Sequence, residues 1–212
     1  MVFQYGSEEI DYLSSRDKKL GEAIARIGHI TRAAEADLFS SVIRHIIGQQ
    51  ISTSAQSTVW NRLISLVGTV NAQTLLALSR EELQRIGTSF RKVDYILDFS
   101  QRVHQGTFDV EGLWDLPDER VIKELTALKG IGVWTVEMIM MFCMRRPDVV
   151  SYGDLAILRG MRMLYRHPKI DRQMFDKYRQ RYSPHGTVAS LYLWAIAGGA
   201  LSELTDPAPR KK

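Results

Sequence analysis

The segment Leu125-Thr126-Ala127-Leu128-Lys129-Gly130-Ile131-Gly132-Val133-Trp134-Thr135 has the residue types needed to hold an anion. An amphipathic helix ends in Leu128-Lys129, and a second helix starts directly after the two glycines. Gly130 can take a positive φ for a tight reversal, and Gly132 lets the backbone come close to another surface. The first amides of the second helix have no acceptor within it, so its N-terminus suits a phosphate. Glycine-bounded helical turns also occur with no ligand, so Gly-x-Gly alone is weak; the longer string is more specific. No Gly-Lys-Ser/Thr follows and no strand precedes, which excludes a P-loop and a dinucleotide fingerprint. Twenty residues beyond Trp134, Asp154 places a carboxylate in front of LAILRGM. It can cap that helix, alone or in a capping box with Ser151.

Other chemistries lack their residues. Cys143 is the single cysteine, which excludes an internal disulfide, a cysteine zinc cage and an iron–sulfur cluster. His45, His104, His167 and His185 form no cluster in the sequence, and His45 reads as a helix-surface or core histidine. A catalytic transition metal is therefore not expected.

The elements that must position these residues read as helix after helix. Apolar residues recur at three and four spacing: Leu20, Ile24 and Ile27; then Leu38, Val42, Ile43, Ile46 and Ile47; then Val59, Leu63, Leu66 and Val67. Ser79 with Glu82 predicts a capping box opening a helix that stops at Gly87. Val93, Ile96, Leu97 and Val103 predict a helix ending near Gly106. Pro117 suits the first turn of a helix running to about Leu128. Val136, Ile139, Met140 and Cys143 continue after the glycines. Helices over Leu155–Tyr165, Arg172–Tyr182 and Thr187–Ile196 complete an all-α chain with no strand alternation.

The chain has 212 residues, is 45% hydrophobic and carries a net charge of +4. This is ordinary globular composition, which excludes collagen-like, mucin-like and disordered readings. No apolar run approaches the ~18 residues of a membrane span, and the first residues show no secretory signal. The charge is uneven: Leu155–Lys212 holds 11 Lys and Arg against 4 Asp and Glu, and the remainder 17 against 20. Arg159, Arg162, Arg166, Lys169, Arg172, Lys177, Arg179 and Arg181 suit a polyanion, or equally a solvated helical surface. Arg210-Lys211-Lys212 follows two prolines and reads as a frayed tail.

The string LKGIGVWTVEMI, followed by Asp154 in DVVSYGDLAILRG, resembles the helix–hairpin–helix (HhH-GPD) DNA glycosylase superfamily, and within it the 3-methyladenine DNA glycosylase II (AlkA-like) family of alkylation repair. HIIGQQIS at 45–52, GTSFRKVDYI at 87–96 and LYLWAI at 191–196 agree in order and spacing, so the resemblance runs from roughly Asp37 to Gly199. It implies one domain over 1–212 made of two helical lobes, a helix–hairpin–helix over about 119–144, a flexible tail over about 206–212, and no extra N-terminal β domain. It assigns Asp154 as the catalytic carboxylate. Cleaving an N-glycosidic bond builds positive charge on the sugar, and a carboxylate there stabilises it and orients water. A base alkylated at N3 or N7 is already cationic, so a strong general acid is dispensable.

In bifunctional relatives the position of Trp134 holds a Schiff-base lysine. Tryptophan is no nucleophile, so no AP lyase activity is expected. Its indole instead suits a flipped cationic base, and Trp194 and Met138 match further pocket positions; core packing is the competing role for the tryptophans. The resemblance gives DNA-binding roles to Gly130, Gly132 and Thr135, and makes Gln50 the wedge filling the gap left by the flipped base. Main-chain carbonyls of Thr126, Leu128 and Ile131 match a site for a monovalent cation (Na+ or K+); no cofactor is otherwise required. One departure is Ser151, where the family usually has a proline, which bears on the rigidity of the Asp154 loop.

The function implied is monofunctional excision of alkylated purines, of the 3-methyladenine and 7-methylguanine type, in base excision repair. The partner is double-stranded DNA, bound by a monomer in the bacterial cytoplasm or a nucleus, with no membrane involved. The competing functions are a non-catalytic helix–hairpin–helix DNA-structure module, a superfamily glycosylase for another lesion, and an all-α scaffold binding RNA or an acidic partner.

Overall fold

A computed structural model describes residues 2–35 and 37–209. Twelve α-helices are found among them: α1 (Ser7–Arg16), α2 (Lys18–Ile27), α3 (Leu38–Gly48), α4 (Thr53–Val67), α5 (Ala72–Leu76), α6 (Arg80–Arg85), α7 (Phe90–His104), α8 (Asp118–Thr126), α9 (Val133–Phe142), α10 (Leu155–Tyr165), α11 (Arg172–Tyr182) and α12 (Gly186–Ala197). A 3₁₀ turn covers Glu111–Asp115. The all-α class holds; the β-type pairing among the described residues is one isolated bridge, Val2 with Ala33. No helix of the described residues is long and apolar enough to cross a membrane. The terminal Arg210-Lys211-Lys212 lies outside the described residues.

The chain forms two compact units, one of residues 1–34 and 140–212, the other of 35–139. In the first unit α10 and α12 pack together, α2 packs on both, and α11 on α1 and α12. Helix α12 is its core: every residue from Gly186 to Leu193 is buried. The α10–α12 crossing depends on Gly160, where a Cβ would overlap the Leu193 carbonyl. Asp17 caps α2 through Leu20 N (3.1 Å) and also accepts from Tyr165 Oη (2.9 Å) and Arg181 Nη1 (2.9 Å). Burial pushes the Tyr165 phenol far up, so it stays a neutral donor. In the second unit α7 is central, packed by α3, α5 and α6, with α4 on α3.

Three details differ from the sequence expectation. Helix α1 was not anticipated, because Leu13 is its one fully buried residue and its apolar period is weak. Its signal is a cap, the Glu9 carboxylate accepting from Gly6 N (2.8 Å). Pro117 precedes the first turn of α8 as its N-cap, and α8 ends at Thr126. Leu128 belongs to the turn, its carbonyl accepting from Ile131 N (3.2 Å).

Candidate active site and nucleic-acid interface

The hairpin lies in the second unit. Gly130 has φ 81°, and a Cβ there would overlap the ring of Tyr95. Glycine is therefore required twice over, for the dihedral and for the aromatic packed on it. Gly132 closes the first turn of α9 by accepting from Val136 N (3.1 Å), and the space beside its Cα is open. Val133 and Trp134 are about half exposed (52% and 48%), whereas the Thr135 and Met138 side chains are buried. The indole of Trp134 thus presents part of an amphipathic ring, apolar face and N–H edge, at the first turn of α9. Leu128 and Ile131 are buried and Thr126 is partly so. Their carbonyls are hard oxygen donors, chemically suited to an alkali cation, not to a transition metal. Among the described residues no group of three His, Cys, Asp or Glu could hold a metal ion.

Two sequence-distant segments, the end of α3 and helix α7, meet at this hairpin. Gln49 Nε2 donates to Gly130 O (2.6 Å). Lys92 Nζ donates to Ile47 O (2.8 Å) and Gln49 O (2.6 Å), satisfying carbonyls at the end of α3. Burial, then the charge of Arg91, pulls the Lys92 pKa down. Lys129 Nζ pairs with Asp98 of α7 at 2.7 Å. Between these clamps Gln50 is exposed with φ 58°, a left-handed conformation unusual for a side-chain-bearing residue. The segments HIIGQQIS and GTSFRKVDYI contain Gln49 and Lys92, but nothing in their spacing reveals that Lys92 caps α3.

Asp154 lies in the first unit and is 7% exposed. It is the N-cap of α10, its Oδ1 accepting from Ala156 N (2.8 Å) and Ile157 N (2.9 Å). The two amide donors fix the carboxylate's position at the helix N-terminus. Ser151 is fully buried, and its carbonyl accepts from Asp154 N at 3.4 Å. Trp194 of α12 is half-buried, its ring 5.6 Å from that of Phe142, with the Arg32 guanidinium 4.7 Å over the Phe142 ring. Neither Phe142 nor Arg32 has a distinguishing pattern in the sequence.

The basic C-terminal stretch is partly neutralised within its own unit. Arg162 pairs with Asp206 (2.5 Å), Arg159 with the same carboxylate (3.8 Å), Arg172 with Asp176 (3.0 Å), Arg179 with Asp148 (3.6 Å) and Arg181 with Asp17 (2.9 Å). Arg162 holds the Asp206 carboxyl below its ordinary range. Asp176 and Asp206 belong to the stretch itself, whereas Asp148 and Asp17 come from outside it and offset two charges of its basic excess.

Residues 43–184 match the family model described as "HhH-GPD superfamily base excision DNA repair protein". The chain is 31% identical to DNA-3-methyladenine glycosylase 1 of Schizosaccharomyces pombe over 209 residues, covering 95% of this chain and 91% of that one. Its fold is similar to the crystal structure of a DNA-3-methyladenine glycosidase from Bacillus halodurans, with a TM-score of 0.85, 34% identity, and 96% and 95% of the two chains covered. It is also similar to the S. pombe 3-methyladenine DNA glycosylase Mag1 in complex with abasic DNA, with a TM-score of 0.79, 28% identity, and 94% and 100% covered. The capped Asp154, the glycine hairpin before α9 and these likenesses agree: the chain belongs to the HhH-GPD superfamily of base excision DNA repair proteins, in its 3-methyladenine DNA glycosylase family.

Proposed function

We propose that the protein is a monofunctional DNA glycosylase that removes alkylated purines, of the 3-methyladenine and 7-methylguanine type, from double-stranded DNA. The observation carrying this is Asp154, a buried carboxylate held by two amides at a helix N-terminus. In the reaction, water adds to C1′ of the flipped nucleotide as the N-glycosidic bond breaks. The electron pair of that bond leaves with the base, whose cationic ring becomes neutral, and the water proton passes to a base or solvent. Asp154 opposes the positive charge developing on the sugar and orients the water. No general acid is required for a leaving group that departs neutral.

Trp134 stacks on the electron-deficient base, with Met138 one turn later on the same helix. The hairpin amides of Gly130, Gly132, Trp134 and Thr135 hold a backbone phosphate, and Gln50 fills the vacated stack. The carbonyls of Thr126, Leu128 and Ile131 would hold a monovalent cation, which stiffens the hairpin and brings positive charge to the phosphate. A monomer suffices for these roles. Because no amine stands at Trp134, the product is an intact abasic site.

A base-release profile from alkylated genomic DNA tests the proposal. Free 3-methyladenine and 7-methylguanine are expected, with no strand breaks before alkali and no borohydride-trapped adduct. A trapped adduct, or release no greater than without enzyme, would overturn it. Trp134→Ala should lower the preference for cationic over neutral lesions by about 3- to 30-fold, the range of a desolvated cation–π contact, with a smaller effect on undamaged duplex; equal losses on both would remove its pocket role. Affinity should fall linearly with log salt, by about 0.9 log units per phosphate contacted, and a flat salt profile would exclude the backbone grip.

A further inference from the structure

The loop that delivers Asp154 is fastened to α12 at both of its ends. At the near end, Thr187 Oγ1 donates to Arg146 O (2.6 Å) and accepts from Val149 N (3.1 Å), while Thr187 N donates to Pro147 O (2.9 Å). One turn later, the Ser190 hydroxyl is shared between Val149 O and Gly186 O, 3.0 Å from each. Asp148 Oδ2 accepts from Ser183 Oγ (2.6 Å) and its Oδ1 from Gly186 N (3.1 Å). At the far end, α10, whose first turn binds the Asp154 carboxylate, crosses α12 closely at Gly160. Between the two attachments Tyr152 packs edge-on against Phe175, with ring centroids 5.0 Å apart.

Thr187 and Ser190 are both fully buried in a predominantly apolar helix. A buried hydroxyl is retained at a cost unless it satisfies other groups. These two satisfy backbone groups of an irregular segment that has no ladder of its own. A proline stiffens a loop through its ring; here cross-links to a rigid helix do so, and Ser151 is accommodated without one.

We propose that Thr187 and Ser190 are positioning residues for Asp154, setting the loop so that the carboxylate meets the reacting sugar. This rests on the catalytic role proposed for Asp154. The reacting geometry is sensitive at the ångström scale, so loosening these cross-links slows the chemical step more than it weakens DNA binding.

The experiment is single-turnover base release from an alkylated duplex by full-length Thr187→Val, Thr187→Ser and Ser190→Ala, each alone and with Asp154→Asn. Thr187→Val is expected to lose about tenfold or more in rate, with affinity for abasic duplex within about twofold of wild type. Thr187→Ser, which keeps the hydroxyl, should restore the rate. In the Asp154→Asn background Thr187→Val should cost nothing further, since it acts through the missing carboxylate. An unchanged rate in Thr187→Val, a serine that does not rescue, or equal losses with and without Asp154 would each overturn the positioning role. If Thr187→Val is too unstable to assay, Ser190→Ala carries the same comparison. A wild-type rate in Asp154→Asn itself would instead overturn the catalytic reading, so the two failures are distinguishable.

Discussion

Asp154→Asn is expected to lower single-turnover base release by about 10²- to 10⁴-fold, equivalent to about 3–5 kcal/mol of transition-state stabilisation. The substitution is unusually clean. Asn ranks with Asp as an N-cap, and its side-chain oxygen can still accept from Ala156 N and Ile157 N, the bonds that Asp154 Oδ1 makes. The fold and the hydrogen-bonding shape survive while the negative charge is removed. The thermal midpoint should therefore move little, and affinity for duplex DNA should stay near wild type or rise slightly, since one negative charge is removed from a protein that would bind a polyanion. Asp154→Ala should behave differently, losing the rate and also about 0.5–2 kcal/mol of stability with the cap. Calorimetry and single-turnover release on the same two variants separate the roles. An Asn variant with wild-type rate would reduce Asp154 to a cap.

Gly160→Ala is the second large effect, acting through packing. A Cβ at this position would overlap the carbonyl of Leu193, and the obstructing atoms are helix backbone, which cannot swing aside as a side chain end can. Either α10 or α12 must shift, and both are buried along this face. Overpacking of this kind costs about 1–3 kcal/mol, and Tm should drop by about 2–4 °C for each kcal/mol in a chain of this size. The same shift moves the first turn of α10 and with it the Asp154 carboxylate, so the base-release rate of the folded variant should fall by up to about 10²-fold. Melting followed by circular dichroism, and single-turnover kinetics at a temperature where the variant is fully folded, check the two parts. An unchanged midpoint would show that the crossing is looser than its geometry indicates.

The positions of the site residues were legible to different degrees. The hairpin was readable because glycine is the one residue that meets both of its demands: Gly130 takes a positive φ and sits under the Tyr95 ring. The cap at Asp154 was readable because N-caps have few chemical solutions, and the bounds of α10 and α11 follow from caps at Asp154 and Asp171. Helix α1 and the short α5 were not, since a helix with one buried residue has no apolar period to detect. The pairing of the basic cluster was not legible. A count over 155–212 cannot show that Asp148 and Asp17, from outside that stretch, return in space to pair with Arg179 and Arg181.

By itself, the sequence determined the local chemistry: an all-α chain, a glycine hairpin before a tryptophan, and a carboxylate at a helix start. These follow from propensity, capping and residue identity, which act over a few residues. Tertiary structure decided what holds that chemistry in place. Lys92 reaches the carbonyls of Ile47 and Gln49, Gln49 reaches Gly130, and the hydroxyls of Thr187 and Ser190 take the backbone of the Asp154 loop. Each partner is a main-chain atom, which every residue type supplies alike. A contact to backbone leaves no trace in its partner's identity, so it becomes visible only once the chain is folded.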